Sequence, residues 1–122
     1  MKTGIIIVDH GSRMPESNGL LECVAAAFAK KFAARWDIVE PAHMELAAPS
    51  IGDAFDRCIA RGATKIIVVP YFLGPGKHWT HDIPRLAQEA AARHPGSTAT
   101  VAGCLGLDDA LLELLARRIG EV

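Results

Sequence analysis

Gly4-Ile5-Ile6-Ile7-Val8-Asp9 comes almost at the start of the 122-residue sequence, and how it is read decides the fold. Four consecutive β-branched residues favour extended chain, where their restricted χ1 rotamers cost least. The run is too short for a helix, and it lacks the polar alternation of a strand with one wet face. It therefore predicts a strand over Gly4–Asp9 that is buried on both sides, as in a parallel sheet. Gly11-Ser12 closes it. A second run of the same kind, Ile66-Ile67-Val68-Val69, lies within Lys65–Tyr71 and ends at Gly74-Pro75-Gly76.

Working outward, amphipathic segments separate the strands. From about Ser17 to Arg35, Leu21, Val24, Phe28 and Phe32 recur at spacings of three and four, with Lys30, Lys31 and Arg35 where a helix C-terminus favours cations. Trp36–Glu45 is a weaker strand interrupted by Pro41. Ser50 and Asp53 make a capping box for a second helix with Ile51, Phe55, Cys58 and Ile59 on its apolar face, and Gly62 stops it. A third helix is predicted over Asp82–Arg93, with Pro84 in its first turn and Pro95-Gly96 at its end. Thr98–Ala102 is a short strand, and Asp108 caps a last helix bearing Leu111, Leu112, Leu115 and Ile119. Four β-α units in succession imply an α/β fold of three layers, a four-stranded parallel sheet with helices on both faces. Residues 1–122 are expected to form a single domain.

Composition excludes several classes. Thirteen basic and fourteen acidic residues leave a formal charge of −1, so there is no electrostatic footprint for nucleic acid or an anionic membrane. Half the residues are hydrophobic, far from the disordered regime. The longest aliphatic runs are four residues, against the roughly 20 of a membrane span and the about 7–15 of a signal-peptide core. Cys23, Cys58 and Cys104 form no CxxC and leave one thiol unpaired in any scheme, which suits buried, reduced thiols in a cytoplasmic protein.

A flavodoxin-like winding of four strands, order 2-1-3-4, puts the ligand crevice at the carboxyl ends of strands one and three. Strand one ends in Asp9-His10-Gly11-Ser12-Arg13, and strand three leads to Lys77-His78. Strand two ends in His43-Met44-Glu45, on the other side of strand one. His10, His78 and Glu45 thus converge from three loops, and an imidazole cluster with a carboxylate can bind a metal or move protons. His43 either faces the helical cover or the opposite side of its strand. His81 either shares a helix face with His78 or lies on the surface, and His94 sits at a helix end near terminal carbonyls. Trp79 packs either on a flat ligand or within the protein. Asp9 stands where the Arg-His-Gly phosphatase loop needs its arginine, which weakens a histidine-phosphatase reading, and Gly74-Pro75-Gly76 has no nucleotide-loop spacing.

At these residues the sequence resembles the short, single-domain sirohydrochlorin chelatases of cobalamin and sirohaem biosynthesis, the class II chelatases. The likeness covers nearly the whole chain. It rests on Val8-Asp9-His10-Gly11-Ser12-Arg13, on Glu45-Leu46-Ala47-Ala48-Pro49-Ser50-Ile51, and on Val69-Pro70-Tyr71-Phe72-Leu73-Gly74-Pro75-Gly76-Lys77-His78 with Asp82-Ile83-Pro84. The resemblance implies insertion of a divalent metal, Co²⁺ foremost, with Fe²⁺ or Ni²⁺ as alternatives, into sirohydrochlorin with release of two protons. It implies no other cofactor, and a homodimer whose subunits stand in for the halves of duplicated members. His10 and His78 match the family's metal-binding histidines, and Glu45 its acidic residue beside the site. Ser12, Arg13 and Lys77 are candidates for holding the carboxylate-rich rim of the substrate. Ala48 departs from the pattern, since many relatives have an acidic residue there. The competing expectation is a non-catalytic carrier of metal or tetrapyrrole with the same fold.

Overall fold

The computed structural model describes residues 2–77 and 79–122. The strands are β1 (Lys2–Asp9), β2 (Ile38–His43), β3 (Ala63–Pro70) and β4 (Thr98–Val101), alternating with helices α1 (Pro15–Lys31), α2 (Ile51–Ala60), α3 (Trp79–Ala92) and α4 (Asp109–Gly120). All pairings are parallel, as the alternation implied, and the order is β2-β1-β3-β4, as a flavodoxin-like winding requires. Pro41 is tolerated because β2 is an edge strand, where a missing N–H forfeits no ladder bond.

The two sides of β1 pack against different helices. Ile6 and Val8 meet Phe55, Cys58, Ile83 and Ala87 of α2 and α3 in the larger core, while Ile5 and Ile7 meet Leu21 and Ala25 of α1 in the smaller. Phe55, Ile6, Ile66 and Ile83 are wholly buried, each contributing about 1.5–3 kcal/mol relative to leaving it in water. The capping box of α2 forms as read: the Asp53 amide donates to Ser50 Oγ and the Ser50 amide to Asp53 Oδ2. Gly62 takes φ +100° after that helix, a conformation that favours glycine.

Three expectations change. Helix α3 begins at Trp79, earlier than Asp82, so Pro84 lies past the first turn and forfeits one intrahelical bond. The Thr80 hydroxyl donates to the Gly76 carbonyl and helps to hold that earlier start. Cys23 is exposed, because the inward stripe of α1 runs through Leu21 and Ala25 instead. Cys58 is buried as expected, and desolvation pushes its thiol up to about 12, which keeps it protonated and unsuited to metal binding. Third, the α1 face of β3 is left partly uncovered. Ile66 and Val68 are buried under α2 and α3, but Ile67 and Val69 on the other side are only partly so. Helix α4, which would be the natural cover, has no buried residue.

At the end of α3, His94 donates from its ring to Asp56 Oδ1 at 2.7 Å and stacks on Phe55, rather than meeting terminal carbonyls. The hydrogen bond from His94 is the largest influence holding the Asp56 carboxyl below its ordinary 3.8, with Arg93 adding to it. A depressed carboxylate pKa contributes stability that is complete above about pH 4 and is lost as pH falls through the lowered value. Carboxyl NMR titration should therefore place Asp56 below 3.8 and move it upward in His94→Ala.

Candidate metal site at the strand ends

The carboxyl ends of β1 and β2 continue their ladder into the loops that follow. The Met44 amide donates to the Asp9 carbonyl at 2.9 Å and the Glu45 amide to the His10 carbonyl at 3.1 Å. On the other side of β1, the Tyr71 amide donates to the Val8 carbonyl at 2.7 Å. These bonds fix where each loop leaves the sheet. His10 and Glu45, 35 positions apart in sequence, come out side by side, His10 Nε2 lying 3.2 Å from Glu45 Oε1. Both side chains are about half exposed.

Gly11 makes this approach possible. Its φ is +93°, and a Cβ there would lie 1.8 Å from the Glu45 carbonyl oxygen. Neither backbone can move without disturbing the other. Gly11→Ala should cost about 1–3 kcal/mol through backbone strain alone and should also force His10 and Glu45 apart. Thermal melting and metal titration of the variant check the two effects separately.

Beneath the open pair is a buried one. His43 is completely inaccessible, its Nδ1 is 2.7 Å from Asp9 Oδ1, and its Nε2 is 3.2 Å from Glu22 Oε2 on α1. A ring protonated at both nitrogens can donate to both carboxylates. The side chain thus ties together the ends of β1 and β2 and helix α1. Of the two orientations open to His43, the structure takes the one under the helical cover. The pairing of His43 with Asp9 was not read from the sequence, and Glu22 was not singled out there, because it lies on a helix whose phase relative to the sheet is set only by packing.

Among the described residues, no group of three or more His, Cys, Asp or Glu is gathered as a closed metal cage. An open His–carboxylate pair leaves coordination positions free, which suits holding a divalent ion for transfer more than for storage. The family model described as CbiX matches residues 4–122. The chain belongs to the CbiX family. It is 49% identical over 95% of its length to a chloroplastic sirohydrochlorin ferrochelatase of Arabidopsis thaliana, of which it covers 51%. It is 33% identical over 97% of its length to a sirohydrochlorin cobaltochelatase of Saccharolobus solfataricus, covering 94% of that protein. Among solved structures it resembles the sirohydrochlorin chelatase SirB of Bacillus subtilis subspecies spizizenii in complex with cobalt. The TM-score is 0.80 and the identity 32%, covering all of this chain and 51% of that one. The chain thus spans about half the length of the Arabidopsis and Bacillus relatives and nearly all of the archaeal one.

The other sequence candidates of this CbiX chain divide. His78 lies outside the described residues, next to the start of α3. Ser12 is occupied with its own loop: its Oγ accepts from the Met14 amide, and its backbone exchanges two hydrogen bonds with the Asn18 side chain. Arg13 and Lys77 are exposed on the loops that leave β1 and β3. His81 is exposed on α3. Trp79 stacks on Phe72 with centroids 4.7 Å apart and planes 6° from parallel, so its partner within the protein is a side chain of the β3–α3 loop.

Proposed function

We propose that this chain inserts a divalent metal ion into sirohydrochlorin. The observation that carries the reading is the half-exposed His10–Glu45 pair held by backbone bonds at the carboxyl edge of a parallel sheet. Membership of the CbiX family, with relatives named as sirohydrochlorin ferrochelatase and cobaltochelatase, supports the substrate.

In this reading His10 and His78 offer neutral imidazole to the incoming ion, and Glu45 orients His10 through the 3.2 Å contact. As the ion enters the macrocycle, two pyrrolic protons leave. Once the ion has left it, His10 accepts one in the position where its ring faces Glu45, the carboxylate stabilises the resulting positive charge, and solvent water carries away the other. Arg13 and Lys77 attract the carboxylates of the rim, with Ser12 shaping the loop between them. Residues 1–122 act as one chelatase-like domain, and two copies meet around one macrocycle. Relatives about twice as long support the pairing of two such units. We further place the chain in the cytoplasm. Three free thiols suit a reducing compartment, and among the described residues no helix is long and apolar enough to cross a membrane.

The test is an insertion assay with Co²⁺, Fe²⁺ and Ni²⁺ separately, following the change in the pigment's absorption spectrum. The expected result is many turnovers per chain with at least one of the three. Stoichiometric binding with no acceleration over the free pigment would make the protein a carrier and overturn the enzymatic reading.

A further inference from the structure

Leu46, directly after Glu45, departs from two local rules at once. Among the described residues it is the only one other than glycine with a positive φ, at +68°. That left-handed conformation crowds a Cβ and is filled with least strain by glycine or asparagine. The side chain is also 55% exposed, so no burial within the fold offsets the strain. A continued strand would send Leu46 to the same side as Met44, which packs against the larger core. Leu46 belongs to neither core.

The backbone around it holds the turn in place. The Glu45 amide is tied to the His10 carbonyl at 3.1 Å, and the His43 amide donates to the Pro49 carbonyl at 2.8 Å, closing the loop at its base. Ser50 then enters the capping box of α2. Position 46 is therefore left-handed whatever side chain it carries, so the choice of leucine falls to what that side chain meets. Strained residues of this kind collect at ligand sites, where the surroundings over-determine them.

The neighbouring loops indicate the ligand. Met14 after β1, and Tyr71 and Leu73 after β3, are large apolar side chains exposed at the same edge of the sheet. A single exposed leucine is ordinary. Apolar groups in the loops after three adjacent strands, with a His–carboxylate pair on two of those loops, suit a ligand with a broad apolar face and an ionic centre.

We propose that Leu46 bears on the flat face of the macrocycle, beside the metal that His10 and Glu45 serve, and sets how tightly the ring is held. The contact deepens the chelatase reading and rests on it for the ligand. A leucine grips the ring equally before and after the metal enters, so it acts on affinity and not on the chemical step.

The experiment compares Leu46→Asn, Leu46→Gly and Leu46→Met. Asparagine and glycine suit the left-handed backbone, so neither should lower the melting temperature. Both should raise the KM for sirohydrochlorin at least about tenfold, the low end of what burying a leucine side chain supplies, with kcat within about twofold. Leu46→Met keeps an apolar side chain and should hold KM within about threefold of the parent. Absorption titration of metal-free sirohydrochlorin should show the same loss of affinity in Leu46→Asn, and Co²⁺ titration should show none. Parental KM and parental pigment affinity in Leu46→Asn would overturn the contact. So would a melting temperature lower by more than about 5 °C in both Leu46→Asn and Leu46→Gly, which would place the side chain's role in the fold. A parallel loss of Co²⁺ affinity would mean that Glu45 had moved, and would overturn it too. Pigment titration also separates Leu46 from the chelatase reading. A parent that binds the pigment but inserts no metal, with weaker binding in Leu46→Asn, would overturn the enzyme and keep the contact. A parent with no affinity for the pigment would overturn both.

Discussion

His10→Ala should lower the rate of metal insertion by at least about a hundredfold, the low end of what a positioned general base supplies. The same variant should melt within a degree or two of the parent. The ring is half exposed and its polar neighbours are Glu45 at 3.2 Å and the Gly11 carbonyl at 3.3 Å, so truncation opens no cavity in either core. Surface changes of this kind usually fall within about 0.5 kcal/mol. That separation makes the prediction sharp, since a rate lost together with the fold would say nothing about chemistry. Glu45→Gln should cost less, about tenfold, because it removes the charge facing His10 and leaves the imidazole in place. Steady-state rates with a fixed metal and varied pigment measure both. If His10→Ala retained more than about a third of the parental rate, the role given to this imidazole would be wrong.

His43→Ala should have the largest effect on stability of any single substitution at the strand ends. Removing the ring leaves Asp9 Oδ1, in a side chain only 21% exposed, without its partner at 2.7 Å. It also opens a cavity where a fully buried side chain stood. Breaking a buried charge-assisted pair costs about 3–5 kcal/mol, which lowers the melting temperature of a domain this size by on the order of 10 °C. Glu22→Gln, whose parent carboxylate is 48% exposed and 3.2 Å from the ring, should cost under about 1 kcal/mol. Denaturant melts of the two variants compare the contacts directly. Equal losses would put the ring's contribution in its contact with Glu22 and overturn the larger part given to Asp9.

Much of the architecture was legible because it rests on local chemistry. The Ile5–Val8 and Ile66–Val69 runs can be little other than buried strands, and the Ser50–Asp53 box marks a helix start through two specific hydrogen bonds. Strand order agreed with the flavodoxin-like winding expected for four β-α units. The nearness of His10 and Glu45 was legible for the same reason, since adjacent strands must deliver their ends together. Three things were not. Pro84 looked like a first-turn residue because the earlier turn, Trp79 to Asp82, carries no cap signal of its own in sequence. The buried Asp9–His43–Glu22 cluster depends on how α1 rolls on the sheet. The exposure of α4 follows from the backbone bonds of residues 102–106, and an amphipathic pattern does not say whose sheet it faces.

The detached α4 also bears on how such units can be wired. A helix that lies off its own sheet leaves its apolar stripe open to any surface beside it, whether of a free molecule or of a covalent continuation. Joining two units by a short flexible tether would raise the effective concentration of one for the other to about millimolar, with no new contact required. A pair that is concentration-dependent as separate chains would then be permanently closed. The two units would also be free to diverge, so that a residue needed only once per macrocycle could be kept in one half and lost from the other.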